Sequence, residues 1–280
     1  MFLFSILAPM FQAGSFVIDK VILSRHKVNY KTYNGVSYPL IFIITLVIFF
    51  LFKPPFFLEL FSGNSFLLLL AMIALSAITN LIFYRALESD YLGEIQTIGM
   101  MKNIPIIIFS GLLFADERNP IIFISALVAA ISVAWSHYEN QHFRIAKKTL
   151  PYLLSTLILT PMALILLKEL LIVWHPISLS LVRNGVIALI FGPLFFKDSV
   201  KVSTGAFGLL VTTNILTTIA GVIYLFSYQG LGLVYTTLLI SLEPLLVRLA
   251  TVFVLKEPLH HKSTIAFFVV LASVIVASIV

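Results

Sequence analysis

Cysteine is absent from this 280-residue chain, which excludes disulfides and every cysteine-based metal or redox site. Charge is scarce: Asp, Glu, Lys and Arg together make up 11% of the residues, less than half the share in a soluble domain. Hydrophobic residues reach 60% and the mean hydropathy is +1.07. A soluble fold of this length could not hide so much apolar surface, so lipid has to cover it. The short motifs of enzyme chemistry are missing as well: no glycine-rich phosphate loop, no His-Glu-x-x-His and no Gly-x-Ser-x-Gly occurs. The adjacent His260 and His261 lie in a basic loop and read as interfacial, not metal-binding. The expectation is a protein that is not an enzyme, with no metal and no cofactor. Met1-Phe2-Leu3-Phe4 carries no basic start and no small-residue cleavage site, which predicts no removable signal peptide. The net charge of +6 does not point to nucleic acid, because the basic residues fall in short loops between apolar runs.

What is present is a series of ten apolar stretches, at about 2–24, 35–52, 65–86, 92–114, 120–136, 149–168, 177–196, 205–227, 232–255 and 263–280. Most reach the ~20 residues that cross a ~30 Å hydrocarbon core as a helix; the second, fifth and tenth are near the short limit. Continuous apolar runs without alternation predict helices and not a barrel. Breakers separate them: Lys53-Pro54-Pro55, Arg118-Asn119-Pro120, Gly230-Leu231-Gly232 and Glu257-Pro258. No linker is long enough to tether a soluble domain. The fold class predicted is an all-α, multi-pass cell-membrane protein of about ten transmembrane helices, with the bilayer as its first partner.

The chain also reads as a duplication. Tyr84 and Tyr224 lie 140 residues apart, as do Glu117 and Glu257, and Pro105 precedes Pro244 by 139. Ala129-Ala130-Ile131-Ser132-Val133-Ala134 reads like Leu271-Ala272-Ser273-Val274-Ile275-Val276, and Lys20 has a counterpart in Lys168. Halves 1–140 and 141–280 would each hold five spans, and an odd number inverts the second half in the membrane. Inverted repeats of this kind place a substrate site near midplane between the halves.

The run from Glu243-Pro244 to Lys256-Glu257 resembles the EamA domain of the drug/metabolite transporter superfamily, whose penultimate helix carries a Glu-Pro pair and ends in an acidic residue. Pro105, Glu117 and Tyr84-Arg85-Ala86-Leu87 are similar to it in the first half, as are Lys20 and Lys168 at the ends of spans one and six. The family's second-helix arginine is matched by Arg183 but by nothing in span two. The resemblance extends over the whole chain in span count and repeat. It implies a transporter, in the exporting direction, of small organic metabolites such as amino-acid-like solutes. It also implies cytoplasmic termini, whereas the charges argue the reverse. Loops after odd spans hold Arg25, Lys27, Lys31, Arg85, Arg144, Lys147, Lys148, Lys197, Lys201, Lys256 and Lys262, against Lys53, Arg118 and Lys168 after even spans. The positive-inside rule puts the odd loops in the cytoplasm.

Charges at membrane depth are the candidate site, since each costs about 2.5–3.5 kcal/mol unless it pairs, meets water or functions. Glu243 leads: Pro244 withholds a backbone donor beside a mid-span carboxylate, so Glu243 could bind an amine or carry a coupling proton, or else pair permanently with Lys102 or Arg183. Lys102 and Asn103 sit in the matching place of the first half and, across a cavity from Glu243, suit a zwitterion; a plain buried ion pair is the alternative. Arg183 could bind a carboxylate through its planar fork or reach the headgroups. Lys20, beside Asp19, reads as an interfacial anchor. Gln12, Asn80, Tyr84, Gln96, Asn214, Tyr224, Tyr228 and Tyr235 complete the candidate lining, each with an interhelical hydrogen bond as its plainer role. Tyr224 and Tyr228 share a helix face and could stack on substrate. The function expected is a proton-coupled secondary transporter with a small-molecule substrate, and a second copy of the chain is kept open as a partner. Against it stand a membrane enzyme for lipid-linked substrates and a non-transporting assembly subunit, the latter requiring a dry midplane with every charge paired.

Overall fold

The computed structural model describes residues 2–89, 92–136, 150–199, 202–255 and 261–279. Every long element among them is a helix, and no strand occurs among the described residues. In order they are α1 (Phe2–Ser24), α2 (Tyr30–Phe52), α3 (Gly63–Ser89), α4 (Leu92–Met101), α5 (Asn103–Leu113), α6 (Pro120–Ser136) and α7 (Leu150–Leu154). A π-helical turn (Ser155–Leu159) follows, then α8 (Thr160–Val173), α9 (Pro176–Ser199), α10 (Thr204–Ile240), α11 (Glu243–Leu255) and α12 (His261–Ser278). Six stretches are long and apolar enough to cross a membrane: Leu3–Ser24, Tyr30–Phe52, Gly63–Ser89, Leu150–Val173, Pro176–Phe195 and Thr204–Val247. Three apolar helical stretches, Ile98–Leu113, Pro120–Trp135 and Thr264–Ser278, are shorter. The ten apolar runs of the sequence fall on these nine, because Thr204–Val247 takes in two of them.

Local chemistry sets the ends. The Asn29 side chain accepts the Thr32 N–H at 2.8 Å, so α2 begins five residues before its apolar run and buries Thr32, Tyr33 and Asn34 in its first turn. Lys53 closes α2 in a left-handed conformation (φ 46°), ahead of Pro54-Pro55. Arg118 donates to the Gly111 and Leu112 carbonyls at 3.0 and 2.9 Å, ending α5. Asn119 then accepts from the N–H groups of Ile121 and Ile122, with Pro120 in the first turn of α6.

Three prolines fall at helix irregularities, whereas Pro9, Pro39 and Pro193 sit inside continuous helices. Pro105 offers no N–H to the Met101 carbonyl, and α4 gives way to α5 at Lys102; Pro244 deprives Ile240 in the same way, and the helix breaks over Ser241 and Leu242. Pro161 lies four residues after Leu157, inside the π turn. One boundary departs from expectation. Gly230-Leu231-Gly232 forms no loop; helical hydrogen bonding runs on to Gly232, where one residue at φ 85°, ψ 172° makes the kink. That conformation belongs almost solely to glycine.

α1 packs along α10, α2 along α9, α3 along α8, and α6 along α12, while α5 meets α10 and α4 meets α11. α1 and α10 run antiparallel: Ser5 bonds Ser227 at 2.7 Å near one end, and Ser15 bonds Thr213 at 2.8 Å near the other. Ser178 to the Pro55 carbonyl, Trp174 to Ser65 and Gln229 to the Leu171 carbonyl tie the first end. At the second, the Tyr30 N–H donates to Glu88 and Lys20 donates to the Leu87 carbonyl at 2.8 Å. Lys20, expected as an interfacial anchor, is thus bound to a helix end. Large apolar side chains such as Leu51, Phe52, Leu58 and Leu189 stand exposed outside, while Asp19, Glu117, Lys168, Asn184 and Glu243 are buried. Apolar surface outside and polar groups within mark a membrane protein.

Candidate functional site: a charged cavity

The breaks and the π turn surround a cavity of about 340 Å³. α3 presents Ser76, Thr79, Asn80 and Tyr84 to it from one face, and α1 adds Gln12. The π turn contributes Ser155 and Thr156 with Thr160 just beyond, and α9 contributes Ser180, Arg183 and Asn184, spaced by three and four residues. Lys102 enters at the α4–α5 break, and Glu243 at the start of α11 beyond the second break. Gly99 also lines the space; a Cβ there would come within 2.9 Å of the Tyr152 hydroxyl.

Three charges face this space: one carboxylate, one ammonium and one guanidinium. Among the described residues no ion pair joins them, and the salt bridges that do occur belong to Lys168. Glu243 is buried and, among the described residues, accepts a single hydrogen bond, from the Tyr224 hydroxyl at 3.3 Å. Arg183 donates through Nε to Asn184 Oδ1 at 3.3 Å, leaving the rest of its fork toward the cavity. Asn184 is itself held by Thr45 and Ser180, each at 3.1 Å. Unlike charges held apart across a cavity can grip both ends of a zwitterion.

Of the residues singled out in the sequence, Gln12, Asn80, Tyr84, Lys102, Arg183 and Glu243 meet at the cavity wall. Tyr224 stands behind Glu243 as its hydrogen-bond donor. Tyr228 is buried in the apolar core, its ring 6.5 Å from that of Tyr224. Asn103, one residue round the helix from Lys102, turns away and donates to Ser241 at 3.1 Å. Asn214 and Tyr235 are buried and outside the lining. The side chains of Gln96 and Arg248, and the whole of Glu257, lie outside the described residues.

Sequence reasoning missed the hydroxyl-rich part of the wall, from Tyr38, Tyr152, Ser155, Thr156 and Thr160 to Thr217 and Thr218. It noticed Asp19 as an acid at membrane depth but gave it no role; the residue is fully buried and held by hydroxyl groups of Tyr33 and Thr213 at 2.6 Å each. Outside the lining, Lys168 pairs with Glu117 and, at 2.7 Å, with Asp116.

No known family pattern and no curated protein matches the chain. Among solved structures 28 chains match. One crystal structure superposes with a TM-score of 0.77 over 99% of this chain and 96% of its own length, at 13% identity. At that identity the likeness is one of fold alone.

Proposed function

We propose that the chain is a secondary transporter that moves small amino-acid-like or amine-bearing solutes across the cell membrane by alternating access, with the charged cavity as substrate site. The observation that carries this is the trio Glu243, Lys102 and Arg183, facing a 340 Å³ cavity without forming a salt bridge to one another among the described residues. An assembly subunit calls for a dry midplane with every charge matched; charged side chains lining a cavity favour the transporter over it. The volume falls within the range of small-molecule sites.

The proposal includes ten crossings in two inverted five-helix halves, 1–140 and 141–280. Two features support it. If the stretch before Gly232 counts as span eight and the rest as span nine, helices pair as one with eight, two with seven, three with six, four with nine and five with ten. Exchanging the halves leaves that set of pairs unchanged. The breaks at Lys102 and at Ser241–Leu242 also come at corresponding places, the arrangement in which discontinuous helices flank a substrate. Membership of the EamA group, and export as the direction, follow from the motif resemblance within the same proposal.

The test is uptake and counterflow in proteoliposomes, using radiolabelled amino acids and cationic metabolites with and without a pH gradient. Saturable transport of a zwitterionic or cationic solute is expected, reduced at least about tenfold in Glu243→Gln by loss of a charge-assisted contact. Transport equal to empty liposomes for the whole panel, or an unaffected Glu243→Gln, overturns the reading.

A further inference from the structure

The contact between α1 and α10 carries a ladder of oxygen atoms that meets the cavity at one end only. Ser15 and Asp19 are four residues apart on α1, Thr213 and Thr217 four apart on α10, so each pair shares one helix face. Asp19 Oδ1 accepts from the Thr213 hydroxyl at 2.6 Å. Thr213 Oγ1 is 2.8 Å from Ser15 Oγ, and Ser15 Oγ is 2.5 Å from Thr217 Oγ1. Thr217 lines the cavity. A carboxylate sealed from solvent is therefore joined to the cavity by three hydroxyls in unbroken series, each able both to give and to receive a hydrogen.

Among the described residues, the groups that touch Asp19 are neutral. α2 presents the Tyr33 hydroxyl at 2.6 Å, α3 the Tyr84 hydroxyl at 3.5 Å from Oδ2, and α10 Thr213. α11, also packed on α1, presents Val247 to this cluster, and Glu243 belongs to the cavity. The neighbouring Lys20 ammonium is turned to the Leu87 carbonyl. Among the described residues no cation touches Asp19. Its two tyrosines stack with centroids 4.3 Å apart, and it has no exposure to solvent. A carboxylate kept permanently ionised without a counter-ion in a buried site is among the costliest groups in a protein. A purely structural hydrogen-bond acceptor here would be served by asparagine.

We propose that Asp19 is a proton-binding site, loaded and unloaded from the cavity through Thr217, Ser15 and Thr213. In the ionised state each hydroxyl points along the series toward Asp19. A proton arriving at Thr217 from the cavity lets Thr217 pass its own hydrogen to Ser15, Ser15 to Thr213, and Thr213 to Asp19 Oδ1. Each oxygen keeps what it received, so the hydroxyls end neutral with their direction reversed and Asp19 ends as a carboxylic acid. The reverse order releases the proton. Use of this proton to drive solute movement rests on the transporter reading; proton binding itself does not.

The experiment uses the full chain in nanodiscs, with carboxyl-¹³C aspartate, followed by infrared difference spectroscopy after a pH jump and without any solute. The expected result is a labelled carboxylic-acid band that disappears in Asp19→Asn and persists in Glu243→Gln. If Asp19→Asn does not fold, Asp19→Glu makes the assignment, since it moves the band out of the label. Thr217→Val is expected to keep the titration midpoint and lose the fast phase of the response, and Ser15→Ala is expected to lose the fast phase as well. An aspartate signal that stays ionised throughout, or a Thr217→Val protein that loads as fast as its parent, overturns the proposal. No substrate enters the measurement, so its failure cannot be confused with failure of the transport assay.

Discussion

Two buried carboxylates, toward opposite ends of the long helix α10, are held in contrasting ways. Glu117 accepts the backbone N–H groups of Leu233 at 2.6 Å and Val234 at 3.0 Å, beyond the Gly232 kink, and pairs with the Lys168 ammonium. Lys168 in turn lies over the Phe114 ring at 4.5 Å. Glu117 thus caps a broken helix and neutralises a cation with the same two oxygens. Asp19 has hydroxyl partners alone. Burial does not by itself say what a carboxylate is for. Full compensation by charge and by helix N–H groups makes Glu117 a fixed clasp, while neutral donors leave Asp19 free to trade a proton.

The contrast can be broken experimentally, starting where the effect is largest. Lys168→Met strands a buried anion and is expected to cost about 3–5 kcal/mol of stability in detergent unfolding. Adding Glu117→Gln should recover much of that; a double variant as unstable as the sum of the singles would show that the two do not act as a pair. Gly232→Ala combines a forbidden backbone region with a Cβ 2.7 Å from Glu117 Oε1, and should cost about 1–3 kcal/mol. Asp19→Asn keeps an acceptor for Tyr33 and Thr213, so a loss of about 1 kcal/mol or less is expected. A loss as large as that of Lys168→Met would make the hydroxyl cage a second clasp and end the comparison. Arg183→Met removes a charge that, among the described residues, pairs with no acid, and should leave the unfolding midpoint unchanged or raise it while abolishing solute binding; Lys102→Met, which takes a cation from the neighbourhood of Glu243, should abolish binding too.

The smallest effect is expected at His175, outside the spanning helices. Its Nδ1 accepts the Ile177 N–H at 3.3 Å, and partial burial holds the imidazole below its usual value of 6.5. The unfolded chain therefore takes up a proton more readily than the folded one, so stability rises with pH through this window. The contribution is fully present above pH 6.5 and fades as pH falls below it. His175→Asn, which can cap without titrating, should flatten that slope in unfolding scans.

Much of the fold was legible because membrane helices announce themselves by length and apolarity, and because Pro244 withholds a backbone donor beside the break at Ser241 and Leu242. Of the site, the charged members could be found, since Lys102, Arg183 and Glu243 stand out in apolar runs. Which way a neighbour points could not: Asn103 and Lys102 are adjacent in sequence and ~100° apart on a helix. Ser155, Thr156 and Thr160 look the same in sequence whether they bond their own helix or face a cavity. Asp19 was passed over beside Lys20, because its importance comes from Ser15, Thr213 and Thr217, two of them nearly two hundred residues away. The Gly232 kink could not be told from a loop, because the carboxylate that holds it comes from Glu117 in the other half.

The π turn at Ser155–Leu159 has a consequence for indels. It carries one residue more per turn than the α-helices on either side, so removing one residue there could relax it to ordinary helix instead of breaking it. Everything N-terminal to it would then swivel by roughly 100°, carrying Tyr152 off the wall. A one-residue deletion, usually ruinous in a packed membrane helix, becomes at this turn a dial that re-aims part of the lining without altering any side chain.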